Sequence, residues 1–320
     1  LGVVSLVIAW EMLSRLAHLD TFGRALLLVL MGSNGPTLYG LREGNTSQFV
    51  LVVLLGALFF MRKGRLFLAG LLLGAMAAIK LPLLLFGIYY ALRKRWAVVA
   101  GGITILTVIF GLSLLVFGWD FNVRWYEICI APYSTNPLPA FNVQSVASFF
   151  ARLQTGRAGM MDWRPHELSP LLKIASKGVV LVLFGVTLMV GWLARRKQGA
   201  PAAGSWAEIV EFAIVMTLAS VASPLAWSHY FLWLLMPLAL FLDGSPFCPT
   251  DRLRRTALWI ATALIIPLCL PLEIAGLAGK FYVLGVSSYL YAALTFLVLL
   301  WWARWKPETF SPSAAENLSK

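Results

Sequence analysis

The sequence predicts an all-α, polytopic integral membrane protein, a helical bundle with short broken helix pairs and one long extracytoplasmic loop. Three observations predict it. Of the 320 residues, 60% are hydrophobic and 12% charged, with a mean hydropathy of +0.80, which excludes a soluble globule. Stretches free of Asp, Glu, Lys and Arg cover 96–119 (24 residues) and 281–303 (23 residues), each long enough for a hydrocarbon core that about 20 helical residues can cross. The net charge of +12 is not spread out: 17 of 26 Lys and Arg lie in clusters beside apolar stretches, at Arg15, Arg24, 62–65, 93–95, 195–197, 252–255 and Arg304, Lys306 and Lys320. That is the pattern of cytoplasmic loops with a contribution from membrane lipids, so the basic excess needs no nucleic acid partner.

The elements follow from keeping those clusters on one side. Residues 1–13 are an apolar segment with no initiator Met and no charged stretch before it, read as the inside of a chain whose start is missing. Residues 25–38 and 49–61 form a short pair around a polar turn holding Glu43, Asn45 and Gln48. Residues 66–92 are broken by Lys80-Leu81-Pro82, and 206–242 by Ser223-Pro224. Proline removes an intrahelical hydrogen bond and turns the preceding residue away from helix, so each stretch is expected to go in and come back. Without these returns the basic triplets would alternate between faces, against the positive-inside rule. Simple spans at 96–119, 171–194, 256–272 and 281–303 complete a single core over 1–310, followed by a polar cytoplasmic tail at 311–320. The long excursion at 120–170 is extracytoplasmic. Within it 142–152 places Val143, Val146 and Phe150 on one side, the spacing of a short interfacial helix. The three cysteines, Cys129, Cys248 and Cys269, lack metal spacing and read as packing thiols.

Lys80 is the single charge in 66–92, and an ionisable residue inside an apolar segment is costly unless something compensates it. A vertex lysine can bind a lipid phosphate or snorkel to the interface. His229, in Ser223-Pro-Leu-Ala-Trp227-Ser-His229-Tyr230, can accept a proton, donate to an oxyanion, or merely pack. Glu43, Asn45 and Gln48 crowd one turn beside Arg42. No nucleotide-binding glycine loop is present and no cofactor or metal is called for. Gly70 and Gly74 read as points of close helix approach.

Taken in order, Tyr39-Gly-Leu-Arg-Glu43-Gly-Asn45-Thr-Ser-Gln48, 68–82 with Lys80-Leu-Pro82, Asn142-Val-Gln144-Ser145 and Ser223-Pro-Leu-Ala-Trp227-Ser-His229-Tyr230 resemble the polyprenol-phosphate-sugar-dependent glycosyltransferases of the GT-C superfamily. The closest likeness is to family 87 (DUF2029), which includes bacterial α-1,2-mannosyltransferases of the lipid-mannoside pathway. The resemblance spans most of 30–240. It implies a GT-C-like bundle in a bacterial plasma membrane, with an extracytoplasmic active site transferring a hexose, mannose above all, from a polyprenyl-phosphate donor to a lipid or glycan acceptor with inversion. On that reading Lys80 and His229 serve the phosphate and leaving oxygen. Glu43, Asn45, Gln48 and Trp227 surround the sugar, and Asn142, Gln144 and Ser145 lie near lipid or acceptor. The chain departs from the family where Glu43-Gly44-Asn45 replaces a typical Gly-Gln-x-Asn turn, and where Ser228 and Tyr230 stand at positions often Asp and His. The family's catalytic Asp is expected in a first loop upstream of Leu1. A transporter or flippase for a lipid or small solute, which would also break helices around ionisable residues, is the rival class; a non-catalytic scaffold is a third.

Overall fold

The structure is a computed structural model that describes residues 1–242, 245, 247–267 and 280–306. The helices are α1 (Gly2–Leu16), α2 (Thr21–Ser33), α3 (Gly35–Arg42), α4 (Ser47–Arg62), α5 (Leu66–Ile79), α6 (Leu85–Leu92), α7 (Trp96–Cys129) and α8 (Ala131–Thr135). They continue as α9 (Val146–Thr155), α10 (Pro170–Gln198), α11 (Trp206–Ala222), α12 (Leu235–Phe241), α13 (Arg252–Ile265), α14 (Lys280–Val286) and α15 (Ser288–Trp305). Short 3₁₀ turns occupy Leu81–Leu84, Gly156–Met161 and Ser228–Leu234. Among the described residues there is no β-strand, so the protein is an all-α membrane protein.

Two helical stretches, Trp96–Ser134 and Pro170–Gln198, are long and apolar enough to cross a membrane, and a third exists if α3 and α4, bent by 117°, form one span. Burial separates lipid-facing helices from the centre. Along α7 only Val98 and Gly101 are buried, while Leu115 is 84% exposed. In α10 the buried Ser176, Leu183 and Val190 recur every seven residues, so one stripe packs and the rest faces outward. By contrast α11 is buried at every position from Trp206 to Val221. An apolar helix buried on all sides is the axis of the bundle.

The packing of α5 on α7 establishes the first return. A Cβ on Gly70 would lie 2.0 Å from the Val98 carbonyl oxygen, one on Gly74 2.6 Å from that of Gly102, and one on Gly101 2.2 Å from that of Phe67. Glycines on both helices therefore let the backbones touch. The pairs 70 with 98 and 74 with 102 advance in the same direction, so α5 and α7 run parallel and start at the same end. The chain must come back between them, and α6 is the return. α5, 14 residues long, rises about 21 Å at 1.5 Å per residue, which sets Lys80 at the far end from Arg65 and Arg95.

α11 and α12 make the second return: the Trp206 ring at the start of α11 packs edge-on against Phe247 beyond α12, centroids 5.4 Å apart. The same end gathers the basic clusters. His18 packs on Trp206 at 5.3 Å, Gly204 lies against Arg62, Arg95 donates to the Pro201 carbonyl at 2.9 Å, and Arg254 sits 5.2 Å over the Trp302 ring. Arg93 and Arg304 both meet Glu211.

Several expected boundaries shift. The arm at 25–38 is two helices, because Asn34 breaks it. Its side chain caps α3 by accepting from Thr37 N at 2.8 Å and ends α2 by donating to the Leu30 and Met31 carbonyls, each at 3.0 Å. Residues 120–129 stay helical and extend α7, with the bend at Gly118, whose φ of 75° suits a residue without a side chain. The expected helix over 142–152 begins only at Val146, since Ser145 caps it by accepting from Ser148 N at 2.9 Å; Asn142–Ser145 are extended instead. The last apolar stretch breaks at Ser287 into α14 and α15. Cys129 is exposed rather than packed and Cys248 is half-buried. Cys269, the end of the 256–272 stretch and the 311–320 tail lie outside the described residues.

Two outcomes test this fold. Gly70→Val drives a methyl into the Val98 carbonyl and should destabilise the protein by about 1–3 kcal/mol, read as a lower unfolding temperature in detergent, whereas Gly87→Val, with open space around it, should cost far less. Cysteines placed at Lys63 and Lys94 should react with an impermeant reagent from one side of the membrane, and one at Arg164 from the other. Reaction of Lys94→Cys and Arg164→Cys from the same side would overturn the returns.

Candidate functional site

The two breaks and the turn between α3 and α4 meet at the end of the bundle opposite the basic clusters. The α3–α4 turn is built by Asn45, whose Oδ1 accepts from Ser47 N at 3.0 Å and Ser47 Oγ at 2.9 Å. Gly44 turns the chain with φ 63°. Gln48 points inward beneath this turn, its amide paired with the Asn45 carbonyl at 2.5 Å and with Leu41 N at 3.1 Å. It braces the turn.

Lys80 ends α5 in an extended conformation and its side chain bends over the turn. Nζ donates to Asn45 Oδ1 at 3.3 Å and sits 4.5 Å from the Tyr230 ring centroid, a cation–π contact. Among the described residues no carboxylate lies within ion-pair distance of it, although the residue is only 9% exposed. A buried ammonium held by one amide oxygen and a ring, with the Glu43 carboxylate acting on it only from beyond ion-pair distance, is lightly compensated, and an arriving anion would find it available.

His229 is 4% exposed. Its Nδ1 is 3.3 Å from Glu43 Oε2, and its ring lies nearly parallel to Trp227 at 6.5 Å and against Tyr230 at 5.1 Å. Among the described residues neither ring nitrogen has a hydrogen-bond partner. Glu43 is partly open to solvent, so the pair joins a buried imidazole to an accessible carboxylate, a combination suited to proton transfer.

The break at 223–227 is held by the extended segment from the long loop. Gln144 N donates to the Ala226 carbonyl and Ser228 N to the Asn142 carbonyl, both at 2.7 Å, with an antiparallel bridge between Val143 and Trp227. The Asn142 side chain reaches Tyr39 OH at 3.5 Å and accepts from Trp163 Nε1 at 3.0 Å. Gln144 turns away from the break, its Nε2 donating to the carbonyls of Phe141 and Val286 at 2.7 and 2.9 Å. Arg152, fully buried, donates to the Ala140 and Val143 carbonyls and, at 3.0 Å, to Ser287 Oγ. Beside Trp163, the Arg164 guanidinium holds the Asp162 carboxyl well below the usual carboxylate range, with His166 Nε2 at 2.9 Å.

Lys80, His229, Glu43, Asn45, Trp227 and Asn142 thus converge. Gln48, Gln144 and Ser145 stand beneath them, buried and engaged with backbone, in positions that shape the site. The residues that sequence reasoning left out are Tyr39, Tyr230, Trp163 and Arg152; the only signal for Tyr39 and Tyr230 was their place inside the quoted motifs. A cavity of about 450 Å³ opens beside the lysine, with Ile79, Pro82, Trp125, Phe184, Leu225 and Tyr230 in its wall. Tyr230 is shared by cavity and cation. Among the described residues no three His, Cys, Asp or Glu are close enough to hold a metal ion. The arrangement offers a cation and an imidazole–carboxylate pair next to an apolar slot, with Tyr230 between them.

The family model of glycosyltransferase family 87 matches residues 1–224. The chain is 27% identical over 265 residues, 79% of its length and 58% of the relative's, to the polyprenol-phosphate-mannose-dependent alpha-(1-2)-phosphatidylinositol pentamannoside mannosyltransferase of Mycolicibacterium smegmatis. It is 22% identical over 258 residues, 79% of its length and 55% of the relative's, to the protein of that name from Mycobacterium tuberculosis. The chain spans just over half the length of these curated relatives. No solved structure matches.

Arg152→Met should strip the extended segment of its anchor, leaving buried carbonyls unpaired, and destabilise by about 2–4 kcal/mol. Limited proteolysis within 137–165 should accelerate; an unchanged cleavage rate would refute the anchoring role.

Proposed function

The chain belongs to glycosyltransferase family 87, and from that premise we propose that it transfers a hexose, mannose in particular, from a polyprenyl-phosphate donor to a lipid or glycan acceptor on the extracytoplasmic side of a bacterial plasma membrane. The observation that carries this reading is Lys80. Its Nζ, 3.3 Å from Asn45 Oδ1 and 4.5 Å from the Tyr230 ring, stands where the apolar cavity meets the polar vertex. A polyprenyl phosphate has the same two halves, and the donors named for the M. smegmatis and M. tuberculosis relatives are of this class. The basic clusters at the other end of the bundle support a cytoplasmic assignment for that end, which turns the site outward.

In the reaction, the acceptor hydroxyl oxygen attacks the anomeric carbon as the bond from that carbon to the phosphate oxygen breaks, inverting the configuration. The electron pair of the broken bond leaves with the polyprenyl phosphate. Lys80 stabilises the charge gathering there, and Asn45 keeps the ammonium aimed. The hydroxyl proton passes to the His229–Glu43 pair, in which the Glu43 carboxylate, 3.3 Å from Nδ1, is the member open to solvent. Trp227 and Asn142 border the sugar, the indole supplying an apolar face and the amide a hydrogen-bonding edge. Gln48, Gln144 and Ser145 act through the backbone they hold.

Membranes containing the protein, given radiolabelled polyprenyl-phosphate mannose and a lipid acceptor, test this. Lys80→Met should lower transfer by about 10²–10³-fold, as removal of a group that stabilises transition-state charge does, with Lys80→Arg retaining more than Met. His229→Ala should cost about 10²–10⁴-fold. Undiminished turnover in both Lys80→Met and His229→Ala would sink the assignment. Donor translocation across the membrane without transfer would support the transporter reading instead.

A further inference from the structure

A second polar constellation sits at the other end of the bundle, among the basic clusters. The α6 end, α10, α11 and α15 enclose a cavity of about 300 Å³ into which Arg93, Arg195 and Arg304 all project, opposite one carboxylate, Glu211. Both oxygens of Glu211 are already engaged. Oε1 accepts from Arg304 Nε at 2.7 Å, and Oε2 accepts from Tyr89 OH at 2.7 Å while lying 3.5 Å from Arg93 Nη1. Arg304 Nη1 donates to Gln198 Oε1 at 2.6 Å.

Donors are left over. Arg304 Nη2 and Arg93 Nη1 are buried with no hydrogen-bond partner among the described residues; the Arg304 and Arg93 side chains are 2% and 4% exposed. Arg195 shares Glu211 across the cavity but makes no ion pair with a carboxylate among the described residues. Among the described residues, three guanidinium groups share the engaged Glu211 carboxylate, with Glu208 farther off acting on Arg93, and the unpaired buried donors are costly unless an anion meets them. Guanidinium forks match phosphate oxygens in geometry, and a pair of inward donors suits a tetrahedral anion better than a single planar one.

The remaining wall is apolar and faces lipid. Leu92 is 58% exposed, Leu188 57% and Trp192 53%, the last two on the outward side of α10. A ligand with a phosphate on one side and hydrocarbon on the other fits both halves, and basic pockets between membrane helices are a recurring place for such head groups. We propose that this cavity binds a phosphate-bearing anion, the phosphodiester of an anionic membrane lipid, through Arg93, Arg195 and Arg304. The site is separate from the Lys80 vertex and does not depend on the function proposed there. The occupied cavity ties α6, α10, α11 and α15 together.

The test uses the whole protein in bilayer nanodiscs of phosphatidylcholine, with or without about one part in five phosphatidylglycerol. Retained lipid is counted by native mass spectrometry, and the unfolding temperature is followed in parallel. The expected result is selective retention of phosphatidylglycerol and a higher unfolding temperature in its presence. Arg195→Gln, the least buried of the three, should weaken retention by about tenfold, the effect of losing one charge-assisted contact. Lys94→Gln, on the same face but outside the cavity, should leave it unchanged. A second arm titrates inorganic phosphate into detergent-solubilised protein. A stabilisation by phosphate that Arg195→Gln removes would identify a soluble anion as the source of the same chemistry; none there, with selective lipid retention, identifies the lipid. Equal retention of both lipids together with no response to phosphate would overturn the proposal. So would equal losses in Arg195→Gln and Lys94→Gln, and if Arg195→Gln should unfold, Arg304→Lys, which keeps the charge and loses the fork, provides the same comparison.

Discussion

A helix that breaks inside a bilayer exposes backbone N–H and C=O groups where water cannot reach them, and one half of the candidate site, with Trp227, His229 and Tyr230, depends on how one such break is repaired. Beyond Ala222 the chain leaves the helix, and Ser228 N and the Ala226 carbonyl would be stranded. The loop segment Asn142–Gln144 supplies their partners through two bonds of 2.7 Å. This miniature antiparallel pairing fixes the direction in which Trp227 and His229 point. The loop is held in turn by Arg152 and Gln144, whose side chains close on the carbonyls of residues 140, 141 and 143 and on Ser287 and Val286 of the last helices. Loop, break and C-terminal helices therefore form one connected unit.

The other half of the site is positioned by steric closeness rather than hydrogen bonding. Because α5 and α7 touch through glycine, α5 is locked against a lipid-facing helix along the whole first part of its length. Its end, and with it Lys80, has little freedom to slide. Lys80 then meets the α3–α4 turn at Asn45 and the repaired break at Tyr230. Three elements far apart in sequence contribute one residue each to a single contact group, and each arrives by a different physical device: a cap, a glycine contact, and a backbone stitch.

Much of this was legible in the sequence, for identifiable reasons. Charge clusters report sidedness, since Lys and Arg are costly to translocate. The two returns at Lys80-Leu-Pro82 and Ser223-Pro224 follow from proline chemistry. Lys80 and His229 stood out as polar residues in apolar surroundings. What stayed hidden depends on tertiary partners. Asn34 looks like any helical Asn until its amide is seen capping one helix and ending another. Asn142–Ser145 carries helical spacing, yet pairs as an extended segment because Ala226 and Ser228 need it. Gln48 and Gln144 read as ligand-binding amides, but their side chains turn inward to backbone. Tyr230 appeared in the sequence only as a motif residue at a position often His in the family; its contact with Lys80 exists only once α5 and the second return are brought together.

The two ends of the bundle treat buried charge in opposite ways, and the contrast bears on what each can do. At the basic end, Glu211 lies within the fully buried α11 and links α6 to α15 through Arg93 and Arg304. Removing that carboxylate would leave several cations facing one another, so it is a structural tie, and any ligand there adds to an existing network. At the vertex, among the described residues, Lys80 touches an amide oxygen and an aromatic face with Glu43 acting on it from beyond ion-pair distance, and His229 has a carboxylate at 3.3 Å but no hydrogen bond to either ring nitrogen. Groups left so lightly compensated do little for stability. On the function proposed above, they keep their capacity for an anion and a proton, and the adjoining apolar cavity would suit an anion that brings a hydrocarbon chain. Stability and reactivity are thus assigned to different ends of the same helices, which allows the vertex to remain electrostatically unsatisfied without loosening the bundle that supports it.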